Sequence, residues 1–250
     1  MSEPLFTRSL EVRYHEADPQ GAVRLAVLLA YLQDVAAEHA LQLGVAVKDL
    51  RKLGLTWVLS RLHLRMDRLP RCGEQVGIKT WPVNREGIFS VRDFELLNSA
   101  GEKTGCATTS WAVLDLQSRR PVRIETHLPG YPLHPVRALD DPFAAIPAPA
   151  TFETELRLPV LRADLDLNNH VNNTIYAGWA LEAAPERVAG YAVPVSVEIN
   201  FRAEAHYGDT VISRCAVQQS GSHPCLLHRI EHADDGRELA RLRTCWNFLS

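Results

Sequence analysis

No Cys-x-x-Cys pair occurs in this chain, and its five cysteines (Cys72, Cys106, Cys215, Cys225, Cys245) are an odd number. Such a set argues against a disulfide framework and against a zinc ribbon, and it suits a reducing cytosol. Long apolar runs are also missing: no stretch approaches the roughly 18 residues of a membrane span. The opening MSEPLFTRSLEV has no charged segment followed by an apolar one, so neither export nor anchoring is expected and a cytoplasmic setting is. A strong charge of one sign is absent as well. Formal net charge is -3, made of +2 over residues 1–136 (17 Lys/Arg, 15 Asp/Glu) and -5 over residues 137–250 (10 against 15). Values this mild give no warrant for nucleic-acid binding. No G-x-S-x-G elbow, Walker loop or G-x-G-x-x-G is present, which leaves serine hydrolase, NTPase and dinucleotide-binding readings without support.

What is present is an ordinary globular composition, 46% hydrophobic and 23% charged over 250 residues, enough for one large core or two small ones. The most distinctive stretch is RADLDLNNHVNNTIYAGWALE, residues 162–182. Two carboxylates (Asp164, Asp166), four amides (Asn168, Asn169, Asn172, Asn173) and one imidazole (His170) come directly before an apolar run of helical character. Asp166, Asn168 and His170 alternate, so an extended approach would put them on one face. Asn172 or Asn173 can cap a helix opening at Thr174. A carboxylate, an amide and an imidazole beside free N–H groups and a positive dipole end suit a developing oxyanion. Asn-rich runs before helices also serve as plain turns and caps.

Along the rest of the chain, Leu10, Val12 and Tyr14 alternate with charged residues as in a half-buried strand. A helix over Arg24 to Leu43 is apolar nearly all round, with Gly44 as its stop, and such a helix must be surrounded. Strands are expected over Thr56 to Met66, Gln75 to Pro82, Phe89 to Leu97 and Thr104 to Leu116. Residues 129–151 hold six of the 15 prolines, which excludes a continuous helix or a central strand and reads as a linker.

The part after the linker repeats the part before it. An offset of 148 brings Asp18 onto Asp166, Gln20 onto Asn168 and Ala22 onto His170; an offset of 135 brings Gly73 onto Gly208, Gly101 onto Gly236, Thr109 onto Thr244 and Trp111 onto Trp246. The two registers differ by 13 residues and describe a duplicated module. His170 and Glu204 face Ala22 and Leu69 in the first copy, so these titratable groups belong to the second copy alone.

DLDLNNHVNN with Tyr176, Gly178 and Trp179 resembles the active-site segment of acyl-acyl carrier protein thioesterases. Trp57-Val58-Leu59, Thr80-Trp81-Pro82, Ser110-Trp111 and Arg119-Arg120-Pro121 extend the likeness over most of the chain. The resemblance implies an α+β tandem double hotdog, each copy a curled antiparallel sheet around a long central helix. Its parts would be an N-terminal hotdog over residues 1–128 that holds the acyl chain, the linker 129–151, and a catalytic C-terminal hotdog over 152–250. It implies hydrolysis of fatty acyl-acyl carrier protein, ending fatty acid synthesis, with Asp166, Asn168, His170 and Glu204 as catalytic residues and no cofactor or metal. Glu204 stands where the family keeps a Glu; many relatives have a Cys directly after it, and Ala205 here puts a Cys-His mechanism in doubt. In the expected mechanism water held between Glu204 and Asp166 attacks the thioester, Asn168 and N–H groups at the helix start hold the oxyanion, and His170 orients the water or protonates the sulfur. Attack by a carboxylate is an alternative on the same residues.

The partner implied is an acidic carrier protein, for which Arg119, Arg120, Arg123, Lys48, Arg51 and Lys52 are candidate docking residues; a homodimer is left open. Rival readings are an acyl-CoA thioesterase, a hotdog 3-hydroxyacyl dehydratase and a non-catalytic acyl-binding hotdog. His228-Arg229-Ile230-Glu231-His232 matches the H-x-x-E-H zinc pattern, but on the strand that the repeat predicts its two histidines would be about 13 Å apart.

Overall fold

The structure, a computed structural model, describes residues 3–220 and 223–248. It divides into two compact units, Met1–Pro142 and Phe143–Ser250. In the first, β1 (Phe6–Glu11) leads into α1 (Leu25–Gln42) and α2 (Val47–Lys52), followed by β2 (Leu55–Met66), β3 (Gln75–Glu86), β4 (Phe89–Leu97), β5 (Lys103–Asp115) and α3 (Ile124–His127). In the second, β6 (Thr154–Pro159) leads into α4 (Asn173–Glu182) and α5 (Glu186–Ala189), followed by β7 (Ala192–Phe201), β8 (Thr210–Ser220), β9 (His223–His232) and β10 (Glu238–Phe248). Among the described residues each unit has five antiparallel strands in matching order, β1-β3-β4-β5-β2 and β6-β8-β9-β10-β7.

α1 runs 18 residues without Gly or Pro and buries Leu25, Leu28, Leu29, Tyr31, Leu32, Val35, Ala36 and His39. Each large aliphatic side chain so buried contributes about 1.5–3 kcal/mol of transfer free energy. The helix ends at Leu43, and Gly44 turns the chain at φ +72°. The sheet wraps this helix. Tyr31 Oη donates to the Glu11 carbonyl on β1, while Phe6 stacks on His39. Arg92 on β4 donates to His39 Nδ1 at 3.0 Å. Burial, helped by the Arg92 charge, pulls the His39 pKa down to about 4, so the imidazole is a neutral acceptor here.

The expected strand through Tyr14 stops at Glu11. The Glu16 carboxylate accepts the Arg13 N–H at 2.8 Å and bends Tyr14–Glu16 into a 3₁₀ turn, which leaves Tyr14 91% exposed. Residues 129–151 form neither helix nor strand, as their prolines require, but they are no free tether. Tyr131 and Leu139 are buried, and the fully buried Asp93 accepts from Arg137 Nε at 3.0 Å and from the Ala138 N–H at 2.7 Å.

The duplication holds at the level of single hydrogen bonds. Asp18 accepts the Gln20 N–H at 2.9 Å, and Asp166 accepts the Asn168 N–H at 2.7 Å. The Asp18 N–H donates to the Ala22 carbonyl and the Asp166 N–H to the His170 carbonyl; Val23 N–H donates to Pro70 and Val171 N–H to Ala205. Trp111 Nε1 meets Thr109 at 3.0 Å as Trp246 Nε1 meets Thr244 at 2.9 Å. The extra length of the first copy falls between helix start and following strand, where α1 has 18 residues and α4 has 10.

One cysteine expectation is overturned. Cys225 on β9 and Cys245 on β10 are register partners, 4.2 Å apart at Cα, and form a disulfide. Their 20-residue separation carries no sign of this, because the pairing depends on strand register rather than on sequence spacing. Cys72, Cys106 and Cys215 are free thiols.

Candidate active site

The polar stretch before α4 is not extended. The Asp166 carboxylate captures the Asn168 N–H, the Asn169 N–H donates to the Asp166 carbonyl at 3.0 Å, and the Asp166 N–H donates to the His170 carbonyl at 2.8 Å. Asn169 takes φ +62°, the position that Gly21 fills at φ +81° in the first copy. The expectation of one shared strand face therefore fails: a short Asp that hydrogen-bonds its own backbone two residues on makes a tight turn instead. Leu167, at the tip, is fully exposed.

Cap geometry settles the choice between two asparagines. Asn172 is the N-cap of α4, its Oδ1 accepting the Thr174 N–H at 3.0 Å. Ile175 N–H is taken by the Asn172 carbonyl. Of the first-turn donors this leaves the N–H of Asn173 for an incoming oxygen.

Of the four expected site residues, the structure joins two pairs. His170 Nδ1 lies 3.3 Å from Glu204 Oε1, with side chains 27% and 38% exposed, so both reach solvent. Asp166 and Asn168 form the other pair, the Asn168 Nδ2 reaching Asp166 Oδ2 at 3.4 Å. The main-chain bond from Asp166 to His170 connects the pairs. Glu204 lies in the irregular segment after β7, held to the loop by the Val171 N–H bond to the Ala205 carbonyl.

Two neighbours of these residues were not expected from the residue pattern. The Tyr176 hydroxyl, projecting from α4, accepts the Ala205 N–H at 3.2 Å and lies 3.5 Å from the Ala203 carbonyl, so it touches the backbone on both sides of Glu204. Burial, with the Glu204 charge adding to it, pushes its pKa up to about 12 and keeps it a phenol. The first copy has Leu28 at the matching position, a difference that the repeat alignment contains. His206 stands edge-on to His170 with ring centroids 5.0 Å apart. H-x-x-E-H, by contrast, falls on β9 as expected: His228 is fully buried and bound to Thr244 at 2.8 Å, while His232 faces Asp209 and Asp235. Burial lowers the His228 pKa to about 3.

Two five-stranded antiparallel copies of matching strand order, each with its own helix, define a double hotdog protein. The family profiles for the N-terminal and C-terminal domains of acyl-ACP thioesterases match residues 3–129 and 148–248. The chain belongs to the acyl-ACP thioesterase family. It is 28% identical to an oleoyl-acyl carrier protein thioesterase of Arabidopsis thaliana, over 94% of this chain and 74% of that one. It is 27% identical to a palmitoyl-acyl carrier protein thioesterase of Gossypium hirsutum, over 97% and 63%. Among solved structures, the fold matches an acyl-ACP thioesterase from Bacteroides thetaiotaomicron at TM-score 0.80, with 24% identity over 98% of both chains. It also matches the 12:0-ACP thioesterase of Umbellularia californica at TM-score 0.83, with 21% identity over 100% of this chain and 96% of the other.

Proposed function

We propose that the protein hydrolyses fatty acyl-acyl carrier protein to free fatty acid and carrier thiol, using the second hotdog as the reaction centre. The observation that carries this is the His170–Glu204 pair, 3.3 Å apart, beside the N-terminus of α4. Glu204, paired with His170, takes a proton from water, which attacks the thioester carbonyl. The Asn168 amide and the Asn173 N–H stabilise the oxyanion. His170 then returns a proton to the leaving sulfur. Asp166 shapes the loop that presents Asn168 and His170, and its carboxylate helps to hold the water. The first hotdog binds the acyl chain. All these residues come from one chain, so turnover does not require a homodimer, and the proposed setting is the cytoplasm.

Water attack by a carboxylate-activated molecule is favoured over carboxylate attack because Glu204 already has an imidazole to share its proton load. The test is thiol release from acyl carrier protein, acyl-CoA and 3-hydroxyacyl thioesters, with single-turnover mass analysis in ¹⁸O-labelled water. Preferred hydrolysis of the carrier-bound substrate, with label in the fatty acid and none in the enzyme, is expected. Elimination from the 3-hydroxyacyl substrate, or absence of thiol release, would overturn the reading.

A further inference from the structure

The site holds a third donor that the proposed mechanism does not use. His170, Glu204 and His206 each offer one ligand atom, and these atoms all lie within 4.8 Å of one another. Tetrahedral zinc, with bonds near 2.0–2.1 Å to nitrogen and oxygen, wants donors roughly 3.3 Å apart. His170 Nδ1 and Glu204 Oε1 already have that spacing. The His206 side chain is 51% exposed, so it is free to close the remaining gap. Asp209 Oδ2 accepts the His206 main-chain N–H at 2.8 Å, which fixes the backbone of His206, and lies 3.9 Å from the ring Nδ1. The first copy has Ala22, Leu69 and Arg71 at the three positions and offers none of these donors.

We propose that His170, Glu204 and His206 form a Zn²⁺ site and that zinc reversibly inhibits the enzyme. Two imidazoles and one carboxylate suit zinc and disfavour Mg²⁺ or Ca²⁺, which take oxygen ligands. Inhibition follows from what the metal consumes. The Nδ1 lone pair of His170 and a Glu204 oxygen become ligands, and the proton acceptor of the proposed reaction is lost. The inhibition rests on the functional reading given above, whereas the binding does not.

The test uses the full chain freed of metal. Zinc binding is measured by calorimetry, and initial rates are measured by mass spectrometry of released fatty acid, because thiol reagents compete for zinc. Expected are one zinc per chain and at least a tenfold slower rate at saturation, reversed by a chelator. His206→Gln should turn over within about twofold of the parent without zinc, while its zinc affinity falls by at least about tenfold. Absence of binding, equal affinity in His206→Gln, or acceleration by zinc would overturn the proposal. His206-dependent binding with an unchanged rate would overturn the inhibition and would also remove His170 and Glu204 from the mechanism.

Discussion

The Tyr176 hydroxyl accepts the N–H of Ala205 at 3.2 Å, which ties the helix that begins in the polar loop to the residue next to Glu204. Tyr176→Phe should therefore lower kcat by about tenfold with little change in KM, because it loosens the proton acceptor without touching substrate. Stability should fall by only about 1 kcal/mol, the net worth of one hydrogen bond. Unchanged kcat in a folded Tyr176→Phe variant would reduce Tyr176 to a packing residue.

Glu204→Gln and His170→Ala should each lower kcat by ~100-fold or more, and the double variant should be little worse than either, since groups that act as a unit are non-additive. Both side chains are partly exposed, so the melting temperature should hardly move. Asp166→Ala should differ: it removes the turn that Asp18 makes in the first copy without any catalytic partner, and stability should drop by about 1 kcal/mol along with activity. Additive losses in the double variant would mean that His170 and Glu204 work in separate steps.

Two of the segments that carry the candidate docking residues, the end of α2 with Arg51 and Lys52 and the turn with Arg119 and Arg120, are joined through the backbone. The Leu116 N–H donates to the Gly54 carbonyl at 2.8 Å, which brings the turn before Arg119 against the end of α2. Reversing charge at Arg119 and Arg120 should raise KM for carrier-bound substrate, more so at low salt, and leave a short acyl-pantetheine unaffected. Equal effects on both substrates would sink the docking role.

Asp18→Ala should leave turnover within a few-fold of the parent, because Asp18 serves only its own turn through the N–H groups of Gln20 and Ala22. Enlarging the buried Ala36 on α1 to Phe should shorten the product acids, at about 1–3 kcal/mol of stability from overpacking. An unaltered product profile in a folded Ala36→Phe chain would move the acyl pocket away from α1.

Acid should destabilise both units. His39 and His228 are held neutral, with folded pKa values near 4 and 3, below the unfolded value of about 6.5. The unfolded chain binds these protons first, so the stability present above pH ~6.5 is lost progressively as pH falls toward 4. Urea midpoints at pH 7 and pH 4.5 measure this, and His228→Gln should flatten the dependence. A midpoint independent of pH over that range would contradict the burial of both rings.

Strand and helix positions were largely legible, since periodic burial shows in the residue pattern: β4 runs from Phe89 to Leu97 and α1 from Leu25 to Gln42, at or within a residue of expectation. The repeat was legible too, because residues that make equivalent hydrogen bonds, such as Asp18 and Asp166 or Trp111 and Trp246, recur at the two offsets. Less legible was whatever depends on a contact between distant segments. Cys225 and Cys245 pair only through strand register, and Tyr176 meets Ala203 and Ala205, on either side of Glu204, only because α4 packs against the segment after β7. The alternation of Asp166, Asn168 and His170 misled, because one side-chain hydrogen bond folded the strand-like pattern into a turn.

The paired bonds from Val23 to Pro70 and from Val171 to Ala205 have the same effect in the two copies. They pin Ala22 to the vicinity of Leu69 by the same main-chain link that brings His170 to Glu204. The two copies share a backbone arrangement at positions where their side chains differ. The first unit thus keeps the main-chain scaffold on which a His and a Glu at positions 22 and 69 would stand as neighbours.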